Sequence, residues 1–166
     1  VTKVDKFNDA IGTGTMLSVR IATPQAAWSL SFVLYDAKKI GTMQVSINNT
    51  SGRPWRTEEL HILELKDAAY LQFVTNNVLL HVNGYQSWTN SEVTKLDASR
   101  AQTSYWSALF DEPDAFRSML FGFITNKVST NSFRIQPLDA GDNALRFVTA
   151  SDLRTLELPA GRELLS

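Results

Sequence analysis

Hydrophobic and polar residues alternate with a period of two over much of this chain, the mark of half-buried β-strands. In Ser29–Tyr35, Leu30, Phe32 and Leu34 alternate with Ser31 and Val33. In Thr42–Asn48, Met43, Val45 and Ile47 alternate with Gln44 and Ser46. Leu60–Leu65, Tyr70–Val74 and Val78–Val82 are predicted strands too, the last two joined by the turn-prone Thr75-Asn76-Asn77. A second group begins at Met119–Thr125, with Phe121 and Phe123 on one face and Leu120 and Ile124 on the other. Ser132–Leu138, Ala144–Thr149 and Leu153–Leu158 complete it, with a hairpin turn predicted at Ala140-Gly141-Asp142-Asn143.

Between the groups, Ser91–Arg117 is less regular. The helix formers of Ala98–Phe110, closed by Pro113, predict one short helix within a long connection. Connections of that length are functional or pack against another part of a protein. Tyr105, Trp106 and Phe110 lie in it, so these rings either meet a further domain or subunit or form an internal lid. About nine short strands with one irregular insertion favour an all-β antiparallel sandwich, with a closed barrel as the alternative.

The 166 residues are enough for one domain with a real core. Charge narrows the list of partners. A net charge of -1 leaves no basic stripe for a phosphate backbone, which argues against nucleic acid. No apolar run is long enough to span a bilayer as a helix, which argues against a membrane. The chain has no cysteine, so disulfides and thiolate metal sites are excluded and a reducing cytoplasm is compatible. No signal peptide is visible at Val1, and the overlapping glycosylation triplets of Asn48-Asn49-Thr50-Ser51 are of a kind common by chance.

Most chemical candidates are weak. His61 and His81, the two histidines, sit inside predicted strands and fall short of a zinc ligand set. No serine stands in a nucleophile elbow. Gly12-Thr13-Gly14 lacks a P-loop lysine and reads as a flexible terminal segment. Asp111-Glu112-Pro113-Asp114 reads as a solvated helix end, and Glu58-Glu59 as an exposed strand start. Neither acidic pair has anything to drive two carboxyl pKa values apart, as glycoside hydrolysis needs. No catalytic residue, metal ligand or cofactor is expected.

The octapeptide Asn83-Gly84-Tyr85-Gln86-Ser87-Trp88-Thr89-Asn90 is different. An indole stacks on the C–H face of a sugar, and the amides of Asn83 and Gln86 suit neighbouring hydroxyls. Gly84 permits a tight turn, with positive φ as one way to make it. The competing reading is an Asn-Gly hairpin turn whose rings plug the edge of a sandwich.

Val82 to Trp88, Val-Asn-Gly-Tyr-Gln-Ser-Trp, resembles the N-terminal β-domain of glycoside hydrolase family 36 α-galactosidases. There a strand ends in Asn-Gly or Asn-Asn, followed by an aromatic and Gln-Ser-Trp. Met119-Leu120-Phe121-Gly122-Phe123-Ile124 is similar to that family's Gly-centred strand, and Leu156–Glu163 to its closing strand and Pro/Gly turn. The resemblance spans roughly Tyr70 to Ser166; one family variant has a tryptophan where Tyr85 stands.

The resemblance implies a β-supersandwich of two antiparallel sheets, of the galactose-mutarotase-like kind, as one domain over residues 1–166. It implies that the catalytic aspartates lie in a (β/α)₈ barrel beyond Ser166, so that this chain is not catalytic alone. The parent would be a retaining hydrolase of terminal α-galactosides, able to form a homo-oligomer. The substrate-binding residues implied are Trp88, walling the galactose subsite, with Asn83, Tyr85 and Gln86 mainly holding the turn. A free-standing galactoside-binding, lectin-like module is the alternative, and a purely structural interaction domain the third.

Overall fold

A computed structural model describes residues 1–66, 71–73, 77–86, 88–97, 99–124, 129–137, 145–154 and 156–165. The chain is all-β, with antiparallel sheets throughout. No helix among the described residues is long and apolar enough to cross a membrane. The residues gather into two compact units, 1–57 with 155–166, and 58–154.

The first unit is built on a five-stranded sheet in the order β1 (Thr2–Asn8), β2 (Thr13–Ala22), β3 (Ala26–Tyr35), β4 (Gly41–Asn49), β15 (Glu163–Leu165). The alternation noted for residues 29–35 and 42–48 thus lies in β3 and β4, which pair from Ala26↔Asn49 to Leu34↔Gly41. A two-stranded ribbon, β5 (Trp55–Arg56) with β14 (Glu157–Leu158), belongs to the same unit. Trp55 of the ribbon meets Trp28 of β3 edge-to-face at 6.5 Å.

Asn49 ties sheet and ribbon together. Its buried Nδ2 donates to the carbonyls of Arg53 (2.9 Å) and Leu158 (2.8 Å), and its Oδ1 accepts from Ser51 N and Oγ. The side chain of one glycosylation triplet is therefore spent inside the fold.

The second unit is a two-layer sandwich. One sheet runs β6 (Glu59–Leu65), β13 (Leu145–Asp152), β12 (Thr130–Pro137), β9 (Gln102–Tyr105); the other runs β11 (Arg117–Gly122), β10 (Ser107–Glu112), β7 (Leu79–Val82), β8 (Glu92–Lys95). Their inner faces meet in a phenylalanine core. Phe110 lies 5.7 Å from Phe147, Phe121 4.9 Å from Phe147, and Phe123 4.8 Å from Phe133, ring centre to ring centre. Leu80, Ala108 and Ile135 fill the space around them, each removed from water. Tilted and edge-to-face ring pairs add to the apolar burial that holds two sheets together.

Several expectations are corrected. Of the strand expected at Leu153–Leu158, only Glu157–Leu158 is extended in a sheet, while Leu153, Arg154 and Leu156 are not. Ala98–Phe110 holds no helix over its described residues: Gln102–Tyr105 and Ser107–Phe110 are extended in β9 and β10, paired with β12 and β7. Cross-strand pairing overrides the helix propensity of this stretch. A single 3₁₀ turn, Pro113–Ala115, follows it. Gly12-Thr13-Gly14 is no loose terminus: Thr13 and Gly14 open β2, and a Cβ on Gly14 would press on the Leu34 carbonyl. Of the strand expected at Tyr70–Val74, Leu71–Phe73 form none, since Gln72 takes a φ of 58°; the rest lies outside the described residues. So do Thr75 and Asn76, and the turn expected at Ala140–Asn143.

A further correction concerns acidity. Glu112 is wholly buried rather than solvated, and accepts a 2.6 Å bond from Arg117 across the β10–β11 hairpin. That guanidinium also bonds the Gln72 carbonyl and lies over the Phe73 ring.

Candidate functional site

The octapeptide forms the connection between β7 and β8, which pair from Leu79↔Lys95 to Val82↔Glu92. Its base is fixed by Asn83. The Asn83 N–H donates to Ser104 Oγ at 2.7 Å, and its carbonyl accepts from Tyr105 N at 3.0 Å. The Asn83 amide nitrogen donates to the Ser107 carbonyl at 3.4 Å and to Ser107 Oγ. Ser104 Oγ in turn donates to the Ser107 carbonyl at 2.5 Å. Asn83 therefore sits where the chain passes from β9 in one sheet to β10 in the other.

Trp106 makes that passage. Its φ of 68° is in the left-handed region, uncommon for a bulky residue. Its N–H donates to the Asn131 carbonyl at 3.3 Å, and its carbonyl accepts from Phe123 N at 2.9 Å, so both sheets hold it. Such a conformation persists only where the surroundings over-determine it.

The turn itself is narrow. The Thr89 N–H closes on the Gln86 carbonyl at 2.8 Å, and the Gly84 N–H reaches Ser91 Oγ at 3.3 Å. Gly84 is not at positive φ. It is required by proximity instead, because a Cβ would come within 2.5 Å of the Thr89 carbonyl carbon.

The four residues singled out from the sequence have separate fates. Asn83 turns its amide inward. The Tyr85 ring leans on Tyr105 at 5.0 Å and lies near-parallel to Trp106 at 6.5 Å. Gln86 is exposed and contributes its carbonyl to the turn. Trp88 stands at the tip with 77% of its surface in water. Ser87 lies outside the described residues. Tyr105 and Trp106 are half-buried and form one aromatic group with Tyr85, while Phe110 belongs to the core. Ser104 and Ser107 were not visible as site residues, because their role follows from the sheet crossing and not from any local motif.

Carboxylates gather elsewhere, on β6. Glu59 and Glu64 flank His61, with His61 Nε2 2.6 Å from Glu59 and Nδ1 3.5 Å from Glu64. Arg134 bonds Glu59, and Arg146 bonds Glu64 at 2.8 Å. Burial pushes both carboxyls up, but the arginines and His61 outweigh it, and both end below their ordinary range. A glycosidase acid must be held protonated, so this cluster is tuned the wrong way for that task. Glu59 is thus half-buried and paired, not the exposed residue expected. Among the described residues, no group of three or more His, Cys, Asp or Glu is arranged to hold a metal ion.

The site offers one free indole, a supported phenol ring and a rigid base, a surface suited to stacking and not to proton transfer. No protein-family model and no curated protein sequence matches the chain.

Proposed function

We propose that this chain is the non-catalytic β-domain of an α-galactosidase-like glycoside hydrolase, in which Trp88 walls the galactose subsite of a (β/α)₈ barrel. The observation that carries this reading is the contrast within one turn. Asn83 and Tyr85 are spent on internal contacts, whereas Trp88 is held out at the tip. An exposed indole on a rigid mount is well suited to stack on a sugar face. The resemblance of Val82–Trp88 to family 36 supplies the substrate class, a terminal α-galactoside. The absence of cysteine suits the reducing cytoplasm in which we place the parent enzyme.

The test is kinetic. In the protein encoded by the whole reading frame, Trp88→Ala lowers kcat/KM on a chromogenic α-galactoside by about tenfold, the loss of roughly 1.4 kcal/mol of transition-state binding, with no change in Tm. Unchanged kinetics overturn the role of Trp88. A reading frame without a barrel overturns the enzyme, and galactose binding to this chain alone would then favour the lectin-like module.

A further inference from the structure

The outer edge of the five-stranded sheet is β1, and its hydrogen-bonding parity is fixed by Val1, the residue just before it. Val1 and Arg20 exchange both backbone bonds, each at 2.8 Å. Bonded and non-bonded pairs alternate along an antiparallel ladder. With the β1–β2 register running Thr2↔Val19 to Asn8↔Thr13, residues 1, 3, 5 and 7 bond to β2. Thr2, Val4 and Lys6 therefore aim their N–H and C=O groups outward, away from the sheet.

Edges of this kind are normally blunted by charge. Here the charges alternate in sign: Lys3 and Asp5 share a face, with an ion pair of 2.9 Å between them. That arrangement is self-complementary. Set two β1 strands antiparallel with Val4 opposite Val4, and the outward groups of residues 2, 4 and 6 meet those of residues 6, 4 and 2. Lys3 then faces Asp5 of the second copy, twice over. Sliding by two residues either way puts Lys3 opposite Lys3 or Asp5 opposite Asp5, which repel. The charges that guard the edge thus admit one register and exclude its neighbours.

The other face agrees. Val4, Leu17, Phe32 and Met43 form one cross-strand row through β1, β2, β3 and β4. Val4 is 64% exposed at the end of that row. In the same register the row continues through Val4 into the second copy.

We propose that two copies of this chain associate through β1, forming a continuous ten-stranded sheet centred on Val4. This does not rest on the galactosidase reading. Sedimentation equilibrium of the 166-residue chain at low salt is expected to show a monomer–dimer equilibrium. Lys3→Asp and Asp5→Lys should each weaken it by on the order of tenfold. The double variant, which restores complementarity with the signs exchanged, should recover it. Val4→Pro removes an outward N–H without touching the β1–β2 bonds, and should also weaken the dimer while the fold, read by circular dichroism, is kept. A chain that stays monomeric at its highest soluble concentration overturns the proposal. So does a dimer indifferent to the single reversals, or one the double variant fails to restore.

Discussion

Gly84 lies directly beneath the carbonyl of Thr89, so close that a Cβ on it would overlap that oxygen. The turn that presents Trp88 therefore depends on a missing side chain. Gly84→Ala is expected to destabilise the chain by about 1–3 kcal/mol, the usual cost of overpacking a tight site. Urea unfolding measures it. A stability unchanged by the substitution would mean the turn opens at no cost and does not hold Trp88.

Tyr85 and Trp88 are three residues apart and should respond differently to truncation. Trp88→Ala removes an exposed ring and is expected to stay within about 0.5 kcal/mol of the parent stability. Tyr85→Ala strips the packing from Tyr105 and Trp106 and is expected to cost about 1–2 kcal/mol. Thermal unfolding of the pair separates presenter from support; equal losses would contradict that division.

Glu112 is a buried carboxyl with a guanidinium beside it. Its truncation to alanine leaves Arg117 without this partner, and about 3–5 kcal/mol should be lost. Arg117→Met, which removes the same ion pair from the other side, should also destabilise the chain. A mild effect in both would show that the β10–β11 hairpin does not need the pair.

In β9, neither amide atom of buried Gln102 meets a protein partner among the described residues. Replacing it with methionine, of similar length, removes the polar group and is expected to raise stability by about 1 kcal/mol. A fall in Tm would mean that the amide is bonded in solution.

Acid and base limits should meet at one bond. The buried Tyr35 hydroxyl donates to the Asp9 carboxylate at 2.7 Å. This bond holds the Asp9 carboxyl below its ordinary 3.8 and raises the Tyr35 phenol above its ordinary 10.0. The Asp9 contribution is present above pH 3.8 and is lost as pH falls through the lower folded value. The Tyr35 contribution is present below pH 10.0 and is lost as pH rises through the higher one. Asp9→Asn should flatten stability at both ends of the pH scale, as read from urea midpoints. Slopes matching the parent would assign the dependence to other groups.

How far residues alone foretold this fold follows from what each strand faces. β4 buries one face, with Val45, Ile47 and Asn49 inside, so its alternation shows. In β3 the alternation marked the strand but not its inner face, since Val33 and Tyr35 are buried while Phe32 and Leu34 stay exposed. β1 is an edge strand carrying Lys3, Asp5 and Lys6, so its pattern is drowned by charge. β9 and β10 were hidden differently. Their residues prefer helix locally, and only pairing with Ser132–Ile135 and with Leu79–Val82 makes them extended. The site was found in part for the same reason. Val82–Trp88 is one local run, whereas Ser104 and Ser107 join it through sheet geometry 21 and 24 residues away.

The first unit is interrupted along the chain by the second. Its sheet is completed by β15, which pairs Glu163↔Asn48 to Leu165↔Ser46, and its ribbon by β14. A ribosome delivers the whole sandwich before it delivers either strand. The sandwich can close as soon as it has emerged, while β4 and β5 wait through almost a hundred residues of synthesis with an open edge. Slow translation through residues 155–166, or a stop within them, would spare the second unit and leave the first exposed to mispairing.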